Sequence, residues 1–427
     1  MYFHVLVYLL LSQFVPRHPV LTLERKDASR ITAIAPRDEL HENARTQRKL
    51  YTIGGRVYMT SISLARKPYT LVLDTGSSDT WIASSDFRCL SRHTDMELKQ
   101  SACGFGALYD QNESLSWEKI ETHDFEVKYM DGEFLNGEIG TEDFEIGGLE
   151  LRQTIGVVER GWWIGDRISS GLIGLAYPIL ASGHRDLNYT RFGIFAGQSL
   201  RFENYTLPPV FSLALSRPDS TGSLSGGLLA LGGLPAIPHS PTFVTVPIHP
   251  VQASAYAFYS IPVDGFDIIP SKGFNLEKSR LHRRGIVDYT NRTTTTIIDS
   301  GTTLMYLPDD VADSIASFFS PPATYDSLGN LYRARCSAQI PQVGVNIGGE
   351  TFWVDDKDLL AGGGSDREGS CLLSVQRQGY GDAVLGDAFL KNVVAVFDLG
   401  VSYEGEKVIF IQHSDNESAL EKLILGI

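Results

Sequence analysis

Two aspartates occupy the same setting at two places in the 427-residue chain: Val72–Leu73–Asp74–Thr75–Gly76–Ser77–Ser78 recurs as Ile297–Ile298–Asp299–Ser300–Gly301–Thr302–Thr303. Two apolar residues ahead of an Asp place it at the end of a buried strand. The glycine two residues on lets the backbone turn with its amides close to the carboxylate. The hydroxyls of Thr75, Ser77, Ser300 and Thr302 add hydrogen-bond donors around each carboxyl. If the two halves face each other, Asp74 and Asp299 come close enough to share one proton, because like charges at contact cannot both ionise. Such a pair can divide the labour of hydrolysis. The ionised carboxylate takes a proton from an attacking water, the protonated one polarises the carbonyl oxygen, and the pair later returns a proton to the leaving nitrogen. The chemistry calls for no metal, no cofactor and no covalent intermediate.

One Asp-Thr-Gly triplet is a weak signal, since an Asp that caps a turn is common. A second echo strengthens it: Ser170–Gly171–Leu172–Ile173–Gly174–Leu175–Ala176 returns as Asp382–Ala383–Val384–Leu385–Gly386–Asp387–Ala388. Each half therefore reads apolar–apolar–Asp–Thr/Ser–Gly and then, about a hundred residues or fewer later, apolar–apolar–Gly. Two homologous lobes, each with one Asp loop, are the economical explanation. No G-x-S-x-G elbow and no H-E-x-x-H helix is present to support a serine or zinc hydrolase.

The elements that must position these loops read as short strands. Period-two alternation covers residues 57–64, 69–73, 125–129 and 144–146, punctuated by Gly-Gly and Asp-Gly steps. The clearest helical signal is Asp309 to Phe319, with Pro308 ahead of it and Pro321–Pro322 behind. With 41 glycines and 19 prolines scattered between apolar runs, the fold class expected is mostly β with a few short helices. The chain is also too long for one small core.

With these residues in hand, the chain resembles the pepsin-like eukaryotic aspartic proteases from Tyr51 to about Gln412. Leu73 to Trp81 is similar to that family's first active-site motif and Ile298 to Thr303 to its second. The resemblance implies a bilobal β fold with a cleft between the lobes, and an endopeptidase acting at acid pH with a preference for hydrophobic residues beside the cut. The splitting of the paired carboxyls into an acid and a base is itself the known behaviour of that family and is carried over from it. Val127–Lys128–Tyr129–Met130–Asp131–Gly132 resembles the family's flap. Tyr129, Asp131 and Gly132 would then meet substrate together with Gly76, Ser77, Gly301 and Thr302, and Trp81 would support the tyrosine hydroxyl. Thr75 and Ser300 would buttress the catalytic loops. Binding without catalysis is the rival function. Proteins of that kind lose an Asp or its Gly, and both are kept here.

The chain's ends bear on its traffic. Residues 1–23 hold an apolar stretch of signal-peptide length, although no Lys or Arg precedes it. Residues 24–50 carry seven basic against five acidic side chains, a net of +2; with Arg17 also positive and the chain at −14 overall, everything from Tyr51 onward carries −17. An acidic body argues against a nucleic-acid partner. The resemblance implies that 24–50 is a prosegment docked on that body, with Arg48–Lys49 a processing site. The first lobe would span 51–233 and the second 234–427. Five sequons, at Asn112, Asn188, Asn204, Asn291 and Asn416, are candidate glycosylation sites.

Of the three possible pairings of four cysteines, the sequence-local one, Cys89 with Cys103 and Cys336 with Cys371, is favoured. Free thiols remain open, and the absence of a C-x-x-C unit argues against zinc. Cys336 with Cys371 also fits the family's second-lobe disulfide. The expectation is a secreted monomer that acts on protein or peptide substrates and has no stable membrane anchor; a vacuolar or other acidic secretory compartment is the alternative. Two stretches, 272–292 and 184–209, are longer than the family pattern suggests and leave fine specificity open.

Overall fold

In a computed structural model the structure describes residues 46–52, 56–129, 132–181, 201–202, 205–206, 208–217, 225–250, 256–272, 293–327, 329–361, 369–399 and 407–413. Strands dominate, with three short α-helices among the described residues.

The repetition of sequence reappears as a repetition of topology. In the first half Lys67–Asp74 runs parallel to Gly171–Gly174, which is antiparallel to Trp81–Cys89. In the second half Thr294–Ile298 runs parallel to Ala383–Leu385, which is antiparallel to Met305–Leu307. Each Asp strand thus lies beside the apolar–apolar–Gly strand of its own half. Covered on both faces, these strands are continuous apolar runs where a half-exposed strand would alternate, and Leu71, Leu73, Ile173, Ile298 and Leu385 are all buried.

One sheet of 13 strands carries the first half and joins it to the second. At the join, Val210–Leu215 pairs with Val393–Asp398, with Phe211 opposite Phe397 and their rings stacked at 4.5 Å. Beyond it lie Lys407–His413 and His239–Pro247 from the second half. Thr46–Thr52 enters the same sheet between Ser225–Leu231 and Tyr58–Leu64, so the last residues of the expected prosegment, 46–50, are built into a strand.

Two strands run further than alternation alone suggests. The expected residues 125–129 and 144–146 are the ends of Glu118–Lys128 and Phe134–Ile146, a long hairpin. Acidic and basic side chains line its outward positions, and a ladder of backbone bonds continues where apolar periodicity stops. The helix lies at Asp309–Ser317, with Pro308 capping it and Asp309 and Asp310 in its first turn, where carboxylates complement the helix dipole.

Candidate active site

Asp74 is the last residue of its strand and Asp299 directly follows the strand Thr294–Ile298. The backbone N–H of Gly76 donates to Asp74 Oδ1 at 2.7 Å, and the Ser77 hydroxyl donates to Oδ2. The other half repeats this: Gly301 N–H donates to Asp299 Oδ1 at 2.8 Å and Thr302 Oγ1 to Oδ2 at 2.5 Å. Each carboxyl is therefore aimed by one amide and one hydroxyl from its own loop.

The loops also hold each other. Thr75 Oγ1 donates to the Ile298 carbonyl at 3.0 Å and accepts from Ser300 N–H at 2.9 Å. Ser300 Oγ donates to the Leu73 carbonyl at 3.0 Å and accepts from Thr75 N–H at 3.2 Å. Both side chains are buried, so these four bonds lie away from competing water.

The carboxyls face one another across the glycines. A Cβ on Gly76 would sit 2.5 Å from Asp299 Oδ1, and one on Gly301 would meet Asp74 Oδ1. Glycine is required at both positions by the approach of the opposite carboxyl. Burial first, and the charge of Asp299 second, push the Asp74 carboxyl well above the usual carboxylate range, outweighing the bonds from Ser77 and Gly76. The pair consequently keeps a proton that an isolated aspartate would have lost.

The long hairpin ends in a turn at Tyr129–Gly132. Gly132 N–H donates to the Tyr129 carbonyl at 3.1 Å, Tyr129 N–H donates to Glu133 O at 2.8 Å, and Gly132 has φ +94°, a conformation that favours glycine. Trp81 Nε1–H donates to the Tyr129 hydroxyl at 2.8 Å. Burial and the nearby charge of Asp74 raise the Tyr129 pKa well above that of a free phenol, so the ring stands beside the carboxyl pair as a neutral hydroxyl. Asp131, expected at the turn, lies outside the described residues.

A family model described as eukaryotic aspartyl protease matches residues 57–405. The chain belongs to that family. It is 36% identical over 354 residues to a probable aspartic-type endopeptidase of Aspergillus fumigatus, an alignment that spans 81% of this chain and 77% of that protein. Rhizopuspepsin-2 of Rhizopus niveus is 27% identical over 350 residues, 80% of this chain and 76% of its own length. Barrierpepsin of Saccharomyces cerevisiae is 27% identical over 394 residues, 87% and 62% respectively. The protease is thus a hydrolase of the aspartic endopeptidase class.

Around the carboxyl pair, the protease brings in residues that motif reading passed over. Trp163 meets Trp81 edge-on at 5.0 Å and Tyr129 at 5.7 Å, and Phe105 lies parallel to Trp163 at 6.2 Å. The adjacent tryptophans Trp162 and Trp163 were the available signal. Asp387 is wholly buried, with both carboxyl oxygens lacking a hydrogen-bond partner among the described residues. Burial, aided by the charges of Asp299 and Asp74 and opposed by Lys391, raises its pKa. It occupies the slot that the echo pairs with Leu175, where an apolar residue is the natural expectation.

Both cysteine pairs are bonded locally, Cys89 to Cys103 and Cys336 to Cys371. Of the sequons, Asn112 is exposed in the middle of the short 3-10 turn Gln111–Glu113; Asn188, Asn204, Asn291 and Asn416 lie outside the described residues.

Proposed function

We propose that Asp74 and Asp299 are the catalytic pair of this endopeptidase, sharing one proton and activating a water between them. The pair holds that proton jointly, and whichever carboxyl carries it polarises the scissile carbonyl. The other carboxylate takes a proton from the water as its oxygen attacks, and the pair then protonates the departing nitrogen. Gly76, Ser77, Gly301 and Thr302 keep the oxygens pointed at that water, and Thr75 and Ser300 keep the loops in register. The hairpin carrying Tyr129, Asp131 and Gly132 closes over an extended peptide, which binds by backbone pairing. Trp81 holds the tyrosine hydroxyl, and the apolar ring cluster beneath it favours hydrophobic side chains beside the cut.

One observation carries the reading: two carboxyls, one from each half, are held by matching donors, and each lies where a side chain on the other's glycine would sit. The test is cleavage of an unfolded protein across roughly pH 3 to 7. Asp74→Asn and Asp299→Asn should each lower kcat/KM by about 10²- to 10⁴-fold, and a statine-type inhibitor should abolish the activity, which should be greatest at acid pH. Full activity in either variant would overturn the assignment.

The apolar leader, two disulfides and the exposed Asn112 support secretion and glycosylation, and the basic 24–50 segment ahead of an acidic body, ending at Arg48–Lys49, supports its removal as a prosegment from an enzyme that we take to act as a monomer. No helix among the described residues is long and apolar enough to cross a membrane. N-terminal sequencing of the secreted protein should start close to Leu50, and glycosidase treatment should shift its mobility. A start well before Arg48 removes the prosegment boundary, and an unshifted band removes the glycans.

A further inference from the structure

We propose that Arg92 is a positioning residue that latches the flap from outside the cleft. The inference rests on the Tyr129 hairpin being the flap. Trp162 is the last residue of Leu149–Trp162 and pairs with Phe134, the first residue of the flap's returning strand. The Arg92 guanidinium lies over the Trp162 ring, its carbon 4.8 Å from the ring centroid. It also reaches the flap turn: a Cβ on Gly132 would lie 2.8 Å from Arg92 Nη2 and 3.4 Å from Nε. The guanidinium is thus laid against the bare backbone of the turn's last residue. Gly132 serves two ends there, the positive φ of the turn and the room for the arginine.

The mount of this latch is firm. Arg92 sits in a small loop in which Ser91 N–H donates to Met96 O at 2.8 Å and Leu98 N–H to Cys89 O at 2.7 Å. The loop is tied to the rest of the lobe by the Cys89–Cys103 disulfide and by Leu90 N–H donating to Gly161 O at 2.7 Å, one residue before Trp162. One side chain therefore bridges a fixed platform and the turn that must lift for a peptide to enter. Opening the flap separates Gly132 from the guanidinium, so the contact favours the closed state. A guanidinium held in place on a half-buried indole and laid on the backbone of the turn shifts such an equilibrium by about two- to fivefold.

This predicts an effect on entry and release while the chemistry at the carboxyls is left alone. Arg92→Met keeps the apolar stem and removes the stacking cation. It should raise KM for a peptide substrate and speed dissociation of a statine-type inhibitor by the same two- to fivefold, leaving kcat and the apparent Tm as in the parent. Arg92→Lys, which lacks the planar fork, should fall between. Adding Trp162→Leu to Arg92→Met should cost no further speed of release than either change alone. Unchanged KM and inhibitor dissociation in Arg92→Met overturn the latch, as does a loss of kcat or of thermal stability in its place. Tyr129→Ala, measured alongside, separates the two readings. Its loss of activity beside an unchanged Arg92→Met removes the latch alone; its retention of activity removes the flap assignment and the latch with it.

Discussion

At the scale of single residues, the site stores an electrostatic cost in the folded state. An exposed aspartate loses its proton near pH 4, whereas Asp74 is buried and faces Asp299, and its pKa is raised. Between the ordinary value and the raised one, the native protein binds more protons than the unfolded chain, so stability falls as pH rises through that window. Asn at position 74 has no charge to bury. Asp74→Asn should therefore match the parent in apparent Tm below about pH 4 and exceed it increasingly toward neutrality, by about 3 °C or more at pH 7. Melts by dye fluorescence from pH 3 to 7, run quickly enough to limit self-digestion, provide the comparison. Parallel curves across that range would mean that the burial of Asp74 carries no such cost. Under the proposed mechanism activity should move the opposite way, because the carboxyl that burdens folding belongs to the pair that shares the proton.

At the scale of elements, what was legible in the sequence is what chemistry demands locally. Asp74, Gly76 and Ser77 lie within one turn because an amide and a hydroxyl must reach the same carboxylate, and the same holds for Asp299, Gly301 and Thr302. The strands before them could be read from their apolar runs, and the helix from Pro308 and the acids behind it. The contacts that tie distant elements together left no such mark. Thr75 and Ser300 read as supports of the loops and as hydroxyl donors around the carboxyls; the fold shows instead that their hydroxyls donate across to the backbone of the opposite loop. Phe105 and Arg92 lie in a loop whose sequence has no period, and each gains meaning from a tryptophan at the end of a remote strand. Asp387 was passed over for another reason: the repeat sets it opposite Leu175 in plain view, but only the fold shows that its carboxyl is wholly buried and lacks a hydrogen-bond partner among the described residues. The strands of the long hairpin were shortened for a third reason, since their outward charges break the alternation although the backbone pairing runs on.

At the scale of the whole molecule, the two halves must stay in register for the carboxyls to meet, and a buried polar cluster beside the shared sheet bears on that. Arg217 follows Val210–Leu215, the first-half strand at the join. It donates from Nε and Nη2 to Asp358 Oδ2 at 2.9 and 2.6 Å, and from Nη2 to Asn392 Oδ1 at 2.5 Å. Lys391 closes the other side of Asp358 at 2.7 Å, and the Asp358 side chain is only 3% exposed. Replacing both members of a buried pair can be neutral, but removing one leaves a desolvated charge under-compensated. Arg152 supplies the contrast: it meets Asp143 and Glu118, each at 3.1 Å, with side chains 36%, 62% and 79% exposed, a setting in which a bridge is worth ~1 kcal/mol or less. Arg217→Met should therefore cost on the order of 3 kcal/mol in urea unfolding, against ~1 kcal/mol or less for Arg152→Met. Because Arg217 joins one half to the other, its loss should also broaden or split the unfolding transition as the halves come apart separately. Equal costs for the two variants, with a single sharp transition in each, would show that the shared strands and stacked rings alone keep the halves aligned and that the buried ions are incidental to it.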